Sequence, residues 1–386
     1  MLRGLDGIRC LAMLLVIAVH FRLFWFGWVG LQMFFVMSGF LITRLLIDHA
    51  DERPRDYFLK FYGRRALRIF PAFYVFIIAF LAISWLIDTQ PRTTQYWGYA
   101  ATYIYNWVVA LDPEKHRFFI GHFWSLCVEE QFYLVWPFII YFTPRRYLKP
   151  VMVGIILLAP VCRYLTYYEW SWFAESSWPA HSVYVLPTTH MDAFAMGALL
   201  AIHPFKASAR HFWGSVVILF ALGWINTAMY LEPDDKFHAS GLFYRLPLDV
   251  GYQFVWGYTA INICTAIMVC AIARRQFHRR FFEHPVVDYI GKISYPTYIL
   301  NLPIVGLTAY LMQRFNIPIM PNTYTFLVIC LVPTFALAAL IHHYIEIPCN
   351  NLKNRWFRYK QRTTEEKAAA REILVPYQVE EKTSSA

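Results

Sequence analysis

The stretch GHFWSLCVEEQFYLVWP, Gly121 to Pro137, has the apolar and aromatic content of a membrane-crossing helix, yet it carries two adjacent glutamates, Glu129 and Glu130. A carboxylate buried in hydrocarbon is costly unless it is paired, protonated or turned toward a polar cavity. A helix that keeps two of them implies a bundle that encloses something polar. The rest of the chain agrees with that reading. Its 386 residues are 58% hydrophobic and 16% charged, against roughly 45–50% and about 25% in soluble domains. A soluble aromatic-rich core is the alternative, but it would leave the long apolar segments without enough polar surface to cover them. Aromatic residues make up 19% of the chain, which suits side chains gathered at membrane interfaces.

Working outward, segments near the length needed to cross a bilayer, about 20 residues, occur near 8–24, 30–47, 69–87, 119–141, 151–161, 183–202, 212–230, 250–273, 289–311 and 324–344. The sequence therefore predicts an all-α polytopic membrane protein with about ten transmembrane helices. A net charge of +10 would suggest nucleic acid if it formed one patch, but the basic residues fall in alternate loops. With the N-terminus inside, 27 of the 35 Lys and Arg lie on the inner side, so the positive-inside rule predicts an N-in, C-in arrangement in the cell's inner (cytoplasmic) membrane. The aromatic segment 96–111 is placed as one interfacial or re-entrant helix, since an eleventh span would invert every later loop. The short span at 151–161 borrows the aromatic stretch 164–172 as its outer end. Two regions follow: a membrane domain over 1–348, and a basic, partly disordered cytosolic tail over 349–386 that includes the mixed-charge patch TTEEKAAAREIL. No cleavable signal is predicted, because the first apolar run follows Arg9 at once and a second span comes directly after it. Seven scattered cysteines, never spaced as CxxC, read as small hydrophobes with neither disulfides nor metal.

The informative residues are the ionisable ones inside spans. Arg9 and His20 are eleven residues apart, which brings them to within about 20° on one helix face and separates them by about 16 Å along the axis. Arg9 then lies near the inner surface and His20 near the outer end; the plain alternative pairs Arg9 with Asp6 and leaves His20 interfacial. Ser38 and Gly39 interrupt a bulky span, and a small residue there also serves close helix packing. Arg65 and Arg68 lie one turn apart, as two guanidinium forks that grip phosphate or as an ordinary positive-inside cluster. Glu129 and Glu130 point about 100° apart, so one of them faces the same cavity as His20. His190 and Asp192 are weaker candidates. His342 and Glu346, at i and i+4, read as a helix-end hydrogen bond or ion pair rather than metal ligands.

LDGIRCLAMLLVIAVH, FFVMSGFLIT, RRALRIFP, WSLCVEEQFYLVWP, GKISYPTYILNLPI and YIEIP follow one another as they do in membrane acyltransferase family 3, the bacterial O-antigen and exopolysaccharide O-acetyltransferase type, which the chain resembles from Leu2 to about Pro348. The resemblance implies a ten-helix domain that takes an acyl group, usually acetyl, from acyl-CoA at the cytosolic face and delivers it to a glycan hydroxyl. It puts the family's Arg and His on Arg9 and His20, its RxxR pair on Arg65 and Arg68, and its acidic motif on Glu129 and Glu130. The catalytic set expected is His20 with Glu130 or Glu129. Arg9, Arg65 and Arg68, with Ser38, Gly39, Trp124, Ser125 and Asp192, make up the substrate and CoA site.

Three departures bear on that transfer. Gln32 stands where such proteins often have Asp, Asn301 stands where many have His, and no SGNH-hydrolase-like domain follows, so any extracytoplasmic transfer partner is expected to be separate or unneeded. A hydrogen-bonding role survives at Asn301, but a base role does not. The predicted mechanism is direct transfer: His20 takes the proton of the acceptor hydroxyl while a neighbouring carboxylate, Glu130 or Glu129, fixes its tautomer. A covalent acyl-enzyme on Ser38 or Ser125 is the less favoured route, since neither has a base in its local sequence. No bound cofactor is expected; acyl-CoA is a co-substrate. The partners are that donor, a glycan or glycoconjugate acceptor and membrane lipids, with no nucleic acid. Acylation of a small glycosylated metabolite or lipid, or a transporter with charges in its bundle, are the alternatives, and the sequence sets neither the acceptor nor the oligomeric state.

Overall fold

In lipid each backbone segment must satisfy its own N–H and C=O groups, and a helix does so internally. The computed structural model describes residues 4–86, 95–112, 119–169, 179–203, 207–230, 241–244, 246, 248–273, 277–318 and 324–359, and among these there is no strand. In chain order the helices are α1 (Leu5–His20), α2 (Val29–Asp48), α3 (Pro54–Leu86), α4 (Trp97–Ala101), α5 (Tyr105–Leu111), α6 (Phe123–Phe142), α7 (Arg145–Glu169) and α8 (Pro179–Val185). They continue with α9 (Met191–Ile202), α10 (Ala209–Tyr230), α11 (Gln253–Ala273), α12 (Arg279–Phe282), α13 (Pro285–Lys292), α14 (Ser294–Arg314), α15 (Tyr324–Ile341) and α16 (Ile347–Trp356). The mixed-charge patch expected in the tail lies outside the described residues.

Every expected span has a helical counterpart. Among the described residues, six helical stretches are long and apolar enough to cross a membrane: Trp25–Asp48, Pro54–Leu86, Arg145–Glu169, Ala209–Tyr230, Val250–Ala273 and Tyr324–Trp356. The chain is thus a multi-pass membrane protein. The other four expected spans fall on α1, α6, α9 and α14, which are the helices carrying His20, Glu129 and Glu130, Asp192, and Asn301. Outside them, α7, α10 and α15 turn Leu157, Val217, Ile218, Val328 and Val332 outward, an apolar surface that a bilayer covers.

Two expectations are corrected, those at 96–111 and 183–202, while the span at 151–161 does extend into its aromatic stretch. The aromatic segment near 96–111 forms two short helices rather than one, broken where Tyr103 adopts φ +56°. Gln131 holds that break to α6 by donating to the Tyr103 carbonyl and to Asn106 Oδ1, each at 2.8 Å. The short span at 151–161 is part of a 25-residue helix, α7, in which Pro150 and Pro160 are accommodated and the aromatic residues continue the same helix to Glu169. The span at 183–202 is discontinuous: α8 ends at Val185 and α9 begins at Met191. The carbonyls freed there find side-chain donors. Thr189 Oγ1 takes those of Val183 and Leu186 at 2.6 Å each, and the His190 ring Nε2 takes that of Tyr184 at 2.8 Å. Broken helices inside a membrane bundle need such replacements.

Candidate active site

At one end of the bundle α1, α3 and α6 bring four predicted groups together. Arg9 pairs with Asp6 one turn before it, the plain alternative for that residue, yet its charge, with those of Arg65 and Arg68, still acts on Glu129. Glu129 Oε1 accepts a hydrogen bond from Ser38 Oγ at 2.9 Å, and Ser38 Oγ lies 3.0 Å from Tyr133 Oη. The Arg65 guanidinium sits 4.4 Å from the Tyr133 ring centroid, a cation–π contact. Arg68 is exposed, and His20, Glu129 and Glu130 are half-buried. Arg9 is taken by Asp6, which leaves the Arg65 and Arg68 guanidinium groups as the cations beside Glu129 and Glu130.

His20 is the last residue of α1. Its Nδ1 lies 2.6 Å from Asn301 Oδ1 of α14. An amide oxygen accepts, so this pairing corresponds to the tautomer with the proton on Nδ1 and the lone pair on Nε2. This corrects the expectation that Glu130 or Glu129 fixes the imidazole. Glu129 is held by Ser38 beside the arginines, and the amide bonded to the His20 ring comes from a residue 281 positions away. Asn301 is fully buried, and its Nδ2 has no acceptor among the described residues.

Beside His20 stands His122, its ring edge-on with centroids 6.0 Å apart. The His122 carbonyl is clamped by Tyr298 Oη at 2.7 Å and Ser125 Oγ at 3.1 Å, and these two hydroxyls lie 2.5 Å from each other. Sequence reasoning passed over His122, Tyr133 and Tyr298. A signal existed for Tyr133, which is four residues beyond Glu129 and so on its helix face; His122 lies directly ahead of α6 but meets His20 only through the fold.

Four predicted site residues are placed elsewhere. Gly39 serves helix packing: a Cβ there would collide with the α9 backbone at Phe194, and Gly197 has the same relation to Val36. Trp124 is buried among Tyr184, His190 and Phe35, with the His190 ring 5.6 Å away. Ser125 is buried and bonded as described above. Asp192 forms a fully buried ion pair with Arg163 at 2.6 Å and accepts from Thr259 Oγ1 at 2.6 Å and Asn262 Nδ2 at 3.1 Å, so it ties α7, α9 and α11 together. His190 is bonded at both nitrogens, with Gln32 Nε2 3.0 Å from Nδ1. His342 and Glu346 form the expected helix-end pair at 2.5 Å, inside a π-helical turn. Among the described residues no three His, Cys, Asp or Glu converge as metal ligands, and all seven cysteines are free.

Residues 2–343 match the family of the acyltransferase 3 domain. The chain belongs to the acyltransferase 3 family. It is similar to the peptidoglycan O-acetyltransferase OatA of Listeria monocytogenes, 26% identical over 383 residues, which covers 92% of this chain and 56% of that protein. It is also similar to the O-acetyltransferase OatA of Staphylococcus aureus strain NCTC 8325, 27% identical over 378 residues, 90% of this chain and 57% of that one. A putative O-acetyltransferase of Staphylococcus aureus strain COL is 26% identical over 359 residues, with 89% and 56% covered. The chain thus spans somewhat over half the length of these relatives. No solved structure matches.

Proposed function

We propose that the chain is an integral-membrane O-acyltransferase that moves an acetyl group from acetyl-CoA to a hydroxyl of a cell-envelope glycan, through a bundle of ten spans with both termini in the cytosol. The observation that carries this reading is the polarity of α1. At one end a cluster of three arginines suits the phosphates of CoA, and about 16 Å along the same helix face a histidine is held with Nε2 as its basic atom.

In this mechanism Arg65 and Arg68, helped by Arg9, hold the nucleotide phosphates by charge-assisted hydrogen bonds. The pantetheine arm runs along α1 toward His20. Nε2 of His20 takes the proton of the acceptor hydroxyl as its oxygen attacks the thioester carbon. The C–O bond forms and the carbonyl electrons move to oxygen. On collapse the C–S bond breaks, the sulfur leaves with the electron pair, and the imidazolium returns the proton to it as CoA thiol. Asn301 keeps Nδ1–H in place throughout, and its spare Nδ2–H suits a hydrogen bond to the acceptor. The Ser38–Glu129 hydrogen bond supports an acyl-serine route as the second reading, in which Ser38 is acylated first.

The test is acetyl-CoA turnover by the purified protein with glycan acceptors, comparing wild type with His20→Ala and Arg68→Ala. We expect His20→Ala to abolish transfer while the protein remains folded, and Arg68→Ala to raise KM for acetyl-CoA. Near-normal transfer by His20→Ala would sink the direct mechanism, and an acetyl group found on Ser38 by mass spectrometry would favour the second reading.

A further inference from the structure

Beyond α15 the chain passes through the π-helical turn His342–Glu346 into α16 and lies back along the first turns of α3. Gly63 makes room there for the Phe357 ring, which a Cβ would overlap. Arg64 gives Nη1 to the Phe357 carbonyl at 2.9 Å and Nη2 to Asn354 Oδ1 at 3.2 Å. Two residues on, the Tyr359 ring stacks on the His49 imidazole, with centroids 3.9 Å and planes 16° apart. The Arg64 guanidinium lies 5.1 Å and the Lys60 ammonium 6.0 Å from its centroid. Glu52 braces both walls, accepting from Lys60 Nζ at 2.8 Å and lying 3.0 Å from His49 Nδ1. The slot thus holds a flat aromatic ring between an imidazole and two cations.

A stacking plane with cations at its rim recognises an aromatic base that carries phosphate. Its place fits as well: Arg64 adjoins Arg65 and lies one turn from Arg68 on α3. We propose that the slot made by His49, Lys60 and Arg64 is the adenine subsite for acyl-CoA, and that Tyr359, anchored by Phe357 over Gly63, fills it as an internal competitor which the donor displaces. The proposal rests on the reading of Arg65 and Arg68 as the phosphate-binding pair. A tethered ring competes at a high effective concentration, and donor affinity falls by the fraction of slots it closes.

The test compares acetyl-CoA with acetyl-pantetheine, which lacks the adenine and its phosphates, in the full chain and in the Tyr359→Ala and His49→Ala variants. Tyr359→Ala is expected to lower KM for acetyl-CoA about three- to tenfold by removing the competitor. His49→Ala is expected to raise it about tenfold by removing the stacking plane. Neither variant should change kcat/KM for acetyl-pantetheine. An unchanged KM for acetyl-CoA in both variants, with a wild type that turns the donor over, overturns the slot and leaves the acyltransferase reading standing. Equal losses with both donors make the tail a structural brace and also overturn the slot. A folded wild type that turns over neither donor overturns the acyltransferase reading, and the slot with it.

Discussion

His20 and Asn301 meet through one hydrogen bond. The 2.6 Å contact holds the ring without placing a negative charge beside it, and in the proposed mechanism Asn301 positions the base. Asn301→Leu keeps the volume and removes the acceptor; we expect kcat to fall by about 10²-fold, the scale of a lost general-base arrangement. KM for acetyl-CoA should be unchanged, since the proposed phosphate site is at the other end of α1. Turnover assays at matched membrane abundance check this. An unaltered kcat would remove Asn301 from the mechanism. The co-facial placement of Arg9 and His20 was legible in the sequence, because helical periodicity is a local property. Asn301 was visible only as a departure from a family pattern, and the residue it holds lies 281 positions away.

At the scale of elements, α2 and α9 are joined by two glycines facing each other's backbone. Gly39 meets Phe194 and Gly197 meets Val36, the close approach that small residues permit in membrane bundles. Gly39→Val is expected to destabilise the protein by about 2 kcal/mol, as overpacking between rigid backbones does. Thermal unfolding of the purified protein checks it, and an unchanged midpoint would show that the two helices can separate freely. The same interface explains the break before α9. His190 closes α8 by bonding the Tyr184 carbonyl and receives Gln32 from α2, so Gln32 does its work as a partner of a buried neutral histidine. Pro187 and the polar Thr188, Thr189 and His190 after it mark the break in the sequence, but the side-chain donors that satisfy its freed carbonyls are set by the fold.

For the whole molecule, the four helices that fall short of an apolar span carry His20, Glu129 and Glu130, Asp192, and Asn301, while α7, α10 and α15 carry the outward-facing apolar surface. The N-in reading puts Ala50, between α2 and α3, in the cytosol and Asn316, after α14, outside. Single-cysteine labelling with an impermeant reagent is expected to reach Asn316→Cys in intact cells and Ala50→Cys only after permeabilisation. The reverse pattern would invert the bundle and put the arginine cluster on the side without CoA. Composition, the alternate placement of basic loops and the motif order determined the all-helical, multi-pass character, the family and the helix faces that carry Arg9, His20, Arg65, Arg68 and the two glutamates. Those depend on residues near in sequence and on transfer energies that add along the chain. The tertiary structure alone decided that Asn301 rather than a glutamate is bonded to His20, that Asp192 joins Arg163, that the α9 backbone at Phe194 is what Gly39 packs against and that the tail returns to α3. Each is a meeting of distant segments, governed by which helices pack and at what depth, and no local period records that.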